Sequence, residues 1–249
     1  MNWQETLSQL EQGTVRAAYQ DEQGQWHANT QVKQAILEVF KAGENTSFSS
    51  PYQGFVDKHN LPTQAFTPER GVRMVPGGSS VRAGAYVASG VIIMPPAYIN
   101  IGAFVDSGTM VDSHALVGSC AQIGKNVHLS AAVQIGGVLE PIGANPVIIE
   151  DNAFLGAGVV VVEGRVVKQG AVLAPGVNLT ASMPVYDCVH EYQLERGAPI
   201  PENAIVVQGS RPVSSAWGQA QGLQMSCALI VKYRDEQSDA ALELESLLR

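Results

Sequence analysis

The sequence predicts an all-β core, a hexapeptide-repeat parallel β-helix, with a small α/β segment before it and a strand and helix closing it. Three observations carry the prediction. An aliphatic residue recurs every six positions at Val75, Val81, Val87, Ile93, Ile99, Val105, Val111, Val117, Ile123, Leu129 and Ile135, and the count resumes from Ile149 through Leu155, Val161, Val167 and Leu173 to Leu179. A second, small or apolar column follows four positions after each, from Ser79, Ala85 and Val91 to Val133 and Leu139, broken at Arg165. The step from 135 to 149 reads as two hexads plus two residues, so the register slips once, at GGVLEPIGANPV. A period of six fits neither a helix face nor a plain alternating strand. It fits short strands and tight turns, three hexads closing one triangular coil with the aliphatic column stacked inside.

The elements follow in chain order. Residues 2–12 read as a short amphipathic helix with Trp3, Leu7 and Leu10 on one side and Gly13 ending it. Val15, Ala17 and Tyr19 alternate, Glu22-Gln23-Gly24 turns, and the chain returns through Trp26, a hairpin pattern. Asn29 or Thr30 caps a second helix whose apolar face is Ile36, Leu37, Val39 and Phe40, ending at Gly43. Residues 44–70 read as an irregular connector. The segment 1–70 is therefore a small N-terminal unit, 71–184 the β-helix with a loop at 136–148 leaving it, and 185–249 a C-terminal cap with strands at AIVVQGS and MSCALIVKY, a loop at SRPVSSAWGQAQG and a helix at DAALELESLLR. Open solenoid ends need covering, and the N-terminal helices and the C-terminal strand and helix are the expected caps.

Composition narrows function. Of 249 residues only 15% are charged, the net charge is −8, and no Lys/Arg cluster occurs. This argues against nucleic acid or an anionic membrane as partner, and leaves surface to be buried between subunits. Cys120, Cys188 and Cys227 are unevenly spaced and form no metal-type pair, the usage of reduced thiols in a cytoplasmic protein. The start MNWQETLSQLEQG is polar, with no signal-peptide or transmembrane pattern.

The stretches GTMVDSHALVGSCAQIGKNVHLS, IGGVLEPIGANPVIIEDNAFLGA, GQW, GVRMVP, IPENAIVVQG and CALIVK closely resemble the tetrahydrodipicolinate N-succinyltransferases, acyl-CoA-dependent enzymes of the route to diaminopimelate and lysine. The off-period loop makes the match specific, and it covers nearly the whole chain, with an N-terminus that reads as shorter than the family's helical domain. The resemblance implies a left-handed parallel β-helix, a homotrimer with active sites between subunits, succinyl-CoA as the expected acyl donor with acetyl-CoA as the alternative, a small amino dicarboxylic acceptor, and no metal.

It also implies roles. Asp112 matches the family's catalytic aspartate, which contacts the substrate amine; by register it lies just after Val111, outside the core. From position alone it reads rather as a turn Asp capping its own backbone, and the family match reverses that. Arg73 matches a substrate-binding arginine, suited to grip a carboxylate. His114 is outward and available as a base at the rim, or simply solvated. Turn amides around Gly136, Gly137, Gly156, Ala157 and Gly176 are the expected donors to the thioester or the pantetheine arm of CoA. The departures cluster here too. Gly158 and Val160 stand where the family carries an Arg and a second catalytic Glu, Ser113-His114 stands for a Thr-Trp pair, and Ala131, Ala132 and Gln134 replace glycines. The expectation is altered acceptor or donor preference, as in the related acyltransferase-like protein of tabtoxin biosynthesis, or a weakened CoA-binding scaffold. A zinc hydratase on this solenoid needs three outward histidines, whereas only His114 and His128 lie in the coils. A sugar-nucleotide pyrophosphorylase needs a nucleotide-binding domain that the sequence lacks.

Overall fold

The computed structural model describes residues 2–49 and 54–234. Its centre is a triangular prism of two-residue strands. Val87 pairs in parallel with Val105 and Val105 with Ile123, eighteen residues per rung. The strands stack into three faces. The first runs from Arg73–Met74 to Val172–Leu173 and continues into the C-terminal strands; the second runs from Ser80–Val81 to Asn178–Leu179; the third runs from Tyr86–Val87 to Val166–Val167. Strands this short have no independent stability. They persist because Val81, Ile93, Ile99, Val105, Val111, Val117, Ile123, Leu129, Ile135, Leu155 and Val161 are fully buried in one continuous core, each contributing about 1.5–3 kcal/mol.

The turns explain the rest of the hexad. The third residue after most core aliphatics adopts a left-handed conformation, as at Gly84, Gly102, Gly108, Asn126, Asn152 and Gly170, where Gly and Asn carry the least penalty. Its N–H donates to the rung below, as Gly102 does to Gly84 O and Asn152 to Lys125 O, so the edges are ladders as well as the faces.

The register corrects three expectations. Arg73 and Met74 pair with Ile92 and Ile93, a step of nineteen (92 − 73), so Met74 and not Val75 begins the core column; the extra residue is taken up in Pro76–Ser80. No strand forms between Ile135 and Ile148, and Gln122 pairs with Ile148, twenty-six residues on (148 − 122). The gap is thus one hexad plus eight residues rather than two hexads plus two. Val147, fully buried, takes the small-column place expected of Leu139, which is half-buried against the N-terminal helices.

Helix α1 (Trp3–Glu11) is capped by Asn2, and α2 (Thr30–Ala42) by Asn29. The strands Ala18–Gln20 and Trp26–Ala28 form the expected hairpin. The buried face of α2 is Val32, Lys33, Ile36 and Val39, shifted from the expected one because Leu37 and Phe40 lie at its margin. Residues 44–70 are not irregular throughout: Asn45–Ser47 pairs with Val56–Lys58, and Pro68–Arg70 is a 3-10 turn. The helices do not cap the prism. Leu7, Leu10, Ile36 and Val39 pack on Ala83, Ile101 and Cys120, along the edge between the second and third faces. The entry end is closed instead by residues 61–72, where Gln64 donates to Arg82 O and Ala85 O and Phe66 meets the core.

At the far end, Ala204–Pro212 pairs with Val172–Leu173 and with the long strand Gln224–Tyr233, which in turn pairs with Val185–Asp187. Helix α3 (Ala216–Ala220) lies within the stretch expected to be loop. Asp187, buried beside this sheet, accepts hydrogen bonds from Tyr233 Oη (2.6 Å) and from the amides of Val189 and His190, with His190 Nδ1 at 2.9 Å. Burial acts to raise its pKa, but these donors outweigh burial and lower it to about 2. The helix expected at 239–249 lies outside the described residues. No described helix is long and apolar enough to cross a membrane.

Candidate active site

The first–second edge of the prism gathers most of the residues singled out by sequence. Asp112, Ser130, Gly156 and Ala174 are equivalent corner residues on successive rungs, following Val111, Leu129, Leu155 and Leu173, roughly 4.8 Å apart along the axis. Beside them stand His114, Ala132, Gly158 and Gly176, all at positive φ. Their amides donate to Pro96 O, Ser113 O, Ala131 O and Ala157 O. His114, Ala132, Ala157, Gly158 and Gly176 are all exposed, so this edge is bare.

Asp112 is half-buried. Its Oδ1 accepts from Ser113 N at 2.6 Å, the same local turn bond that Asp106 makes with Ser107 N. That turn role is therefore real, but it occupies one oxygen; Oδ2 has no partner among the described residues. Arg73 is exposed on the first face, two rungs below Asp112, roughly 10 Å along the axis. Its guanidinium has no partner among the described residues, so it is available to a carboxylate.

The turn amides divide. Gly136 N donates to Val161 O and Gly156 N to Leu173 O, both at 2.8 Å, so neither has a hydrogen left for a ligand. Their glycines serve stacking: a Cβ would meet Val162 at 2.8 Å in one case and Pro175 N at 2.6 Å in the other. Gly136 and Gly137 also lie on the second–third edge, one face away from Asp112, where Gly137 packs against Gly118 and Ser119. The amides of Gly137 and Ala157 have no partner among the described residues. Neither does the amide of Ala131, one rung above Asp112, a group that sequence reading did not single out because any residue offers an N–H.

The second face flanks this edge. Its outward residues are Tyr98, Leu116, Gln134, Val160 and Asn178, in register. Gln134 Nε2 donates to His114 O (3.1 Å) and Ala132 O (3.2 Å), and Asn178 Nδ2 to Gly176 O (3.0 Å). Val160 is half-buried between these two amides.

The second–third edge is covered instead. Fully buried Lys33 donates from Nζ to Pro141 O (3.2 Å) and Ala144 O (2.7 Å) of the off-period loop, and burial lowers its pKa. Asn145 exchanges hydrogen bonds with Ala28 N and Trp26 O. A separate cavity of about 290 Å³ lies between the hairpin and the third face, lined by Arg16, Trp26, Asp106 and Glu150. Arg16 stacks over Phe104 there and bonds Gln122; the cavity contains none of the candidate site residues. Among the described residues no cluster of three or more His, Cys, Asp or Glu side chains is placed to hold a metal.

Comparison with known proteins agrees with this architecture. Residues 3–41 match the family described as tetrahydrodipicolinate N-succinyltransferase N-terminal. The chain is 49% identical to Protein TabB of Pseudomonas amygdali pv. tabaci, over 98% of this chain and 87% of that protein. It is 45% identical to a 2,3,4,5-tetrahydropyridine-2,6-dicarboxylate N-succinyltransferase of Azoarcus sp. strain BH72, over 98% of this chain and 88% of the relative. The corresponding protein of Acinetobacter baylyi is 44% identical, over 99% of this chain and 88% of the relative. A crystal structure of a Campylobacter jejuni protein described as a 2,3,4,5-tetrahydropyridine-2-carboxylate N-succinyltransferase superposes with a TM-score of 0.58 at 17% identity, over 90% of this chain and 61% of that one. The fold is the left-handed parallel β-helix of hexapeptide-repeat acyltransferases. The chain belongs to the tetrahydrodipicolinate N-succinyltransferase family.

Proposed function

We propose that this chain transfers an acyl group from a CoA thioester to the amine of a tetrahydrodipicolinate-like or other 2-amino dicarboxylic acid. The observation that carries the reading is the bare edge, where, among the described residues, Asp112 keeps one carboxylate oxygen uncommitted beside an unpaired amide, with an unpaired arginine two rungs away. Acyl transfer needs the amine deprotonated, the thioester carbonyl polarised and both reactants aligned. Asp112 Oδ2 accepts the proton as the amine nitrogen attacks the carbonyl carbon; the C–S bond then breaks and the thiolate leaves, to be protonated as CoA thiol. Arg73 holds a carboxylate of the acceptor. The Ala131 amide, one rung from Asp112, is the donor placed for the carbonyl. Ala157, two rungs away, is too far for the same atom and serves the pantetheine arm together with the open edge at Gly176. His114 contacts the acceptor at the rim.

The working unit of this reading is a cytoplasmic homotrimer with its sites between subunits. The outward column of the first face above Arg73, namely Ile92, Met110, His128, Phe154, Val172 and Ile205, is apolar at every rung but His128 and supports it. Nucleic acid, membrane and metal have no part in it. One observation favours a second reading, a CoA-binding scaffold with weakened catalysis: Val160 offers no second carboxylate. The test is thiol release by the purified protein from acyl-CoA with tetrahydrodipicolinate and with 2-aminopimelate. Release that depends on the acceptor supports the enzyme; CoA binding without release on any acceptor supports the scaffold.

A further inference from the structure

We propose that the cavity between the hairpin and the third face binds a free α-amino acid in its zwitterionic form. Both walls come from the same chain. Arg16 and Trp26 stand on the hairpin, Ile148 on the third face, and Asp106 and Asp151 on the edge between the third and first faces. A volume of about 290 Å³ is at the small end for a ligand pocket, with room for a small molecule and not for a nucleotide. Arg16 is fixed in place. Its Nε donates to Gln122 Oε1 (2.9 Å), and its guanidinium lies 3.7 Å from the centre of the Phe104 ring and 5.5 Å from that of Trp26. Both Nη groups are left without a partner among the described residues, and together they form the planar fork that grips a carboxylate. The prism wall carries the complementary charge. Asp106 Oδ1 accepts from Ser107 N and Asp151 Oδ1 from Lys125 N, both at 2.7 Å, while each Oδ2 has no partner among the described residues. Glu150 is already engaged, accepting from Trp26 Nε1 (2.9 Å) and Gln169 N (3.1 Å). Burial lowers the pKa of Arg16 and the two aspartates act to raise it, yet among the described residues neither forms an ion pair with it. Opposite charges thus lie in each other's field without touching. A lone anion on Arg16 would face two carboxylates, and a lone cation on the aspartates would face the guanidinium. A molecule with carboxylate and ammonium on one carbon satisfies both walls, and Trp26 and Ile148 give its side chain apolar contact. Bound there, it would fasten the hairpin to the prism.

The experiment is calorimetric titration and thermal melting of the full chain with L-alanine, L-leucine and L-lysine. At least one should bind with a Kd of about 1 mM or tighter and raise the melting temperature as its concentration rises. The N-acetyl and the amide derivatives of the amino acid that binds each lack one charge, and each should bind about tenfold more weakly or worse; this comparison needs no altered protein. Asp106→Asn and Arg16→Lys should weaken binding by a similar factor, and Arg73→Met should leave it unchanged. Absence of binding by all three amino acids, or equal binding of the derivatives, overturns the inference. So does binding that is lost in Arg73→Met and kept in Asp106→Asn, which would assign the amino acid to the Asp112 edge instead.

Discussion

Two edges of one prism, built on the same hexad, have opposite fates. On the second–third edge the turn residues Ala83, Ile101 and Cys120 are buried beneath α1 and α2, and Lys33 and Asn145 fasten the inserted loop to the N-terminal unit. On the first–second edge the turn residues His114, Ala132 and Gly158 face solvent, and among the described residues nothing from the protomer's own ends covers Asp112. Backbone geometry does not separate the two, since Cys120 and His114 share a left-handed conformation and the same ladder bond to the rung below. The side chain at the turn decides. Apolar turn residues recruit a cover, and small or polar ones leave an edge open to a ligand. The site is defined as much by where the N-terminal unit docks as by Asp112.

The largest stability effect should come from the fastening of the covered edge. Lys33→Met removes a buried ammonium from two loop carbonyls, leaving Ala144 O unpaired, and should cost about 3 kcal/mol in denaturant unfolding. An unchanged midpoint would mean that the loop holds itself and the cover is incidental. The closure of the far end, on neither edge, offers a control through Asp187. Its folded pKa of about 2 lies below the ordinary carboxylate value. Its contribution, roughly 2 kcal/mol, is complete above about pH 4 and is lost as pH falls through the folded pKa. Asp187→Asn should therefore destabilise at pH 7 and converge with the parent near pH 2. Inside the covered edge the small column reads Ala85, Ala103, Ala121 and Val147 and then Arg165, whose three guanidinium nitrogens have no hydrogen-bond partner among the described residues and whose pKa burial lowers. Arg165→Val should stabilise by about 2 kcal/mol, since an apolar side chain replaces an unpaired buried charge; a loss of stability would mean that the guanidinium is satisfied in solution. On the bare edge Ala132→Gly relieves a left-handed alanine at φ +61° and should add about 1 kcal/mol or less, read as a small rise in melting temperature.

Much of this was legible in the sequence. The six-residue period located the core column, and its arithmetic alone assigns Asp112, Ala157 and Gly176 to one edge, because each follows a first-face aliphatic. The start of the first coil was not legible, since Met74 and Val75 are adjacent apolar residues and counting cannot choose between them; pairing with Ile93 does. Nor was the size of the insertion, because Leu139 mimics the small column that Val147 occupies. The docking of the N-terminal unit along an edge depends on contacts such as Arg16 with Gln122 and Trp26 with Glu150, more than a hundred residues apart, which no local pattern encodes. At the site, residue types showed which groups could act, but only the hydrogen-bond ladder showed that the amides of Gly136 and Gly156 are already engaged and that of Ala131 is not.

The central claim is that chemistry takes place on the bare edge at Asp112. The most direct test is thiol release from acyl-CoA by the Asp112→Asn variant beside the parent chain, with CoA binding measured on both. Turnover reduced by a factor on the order of a hundred or more with CoA affinity retained is the predicted result. Turnover equal to the parent's would contradict it and remove Asp112 from the mechanism.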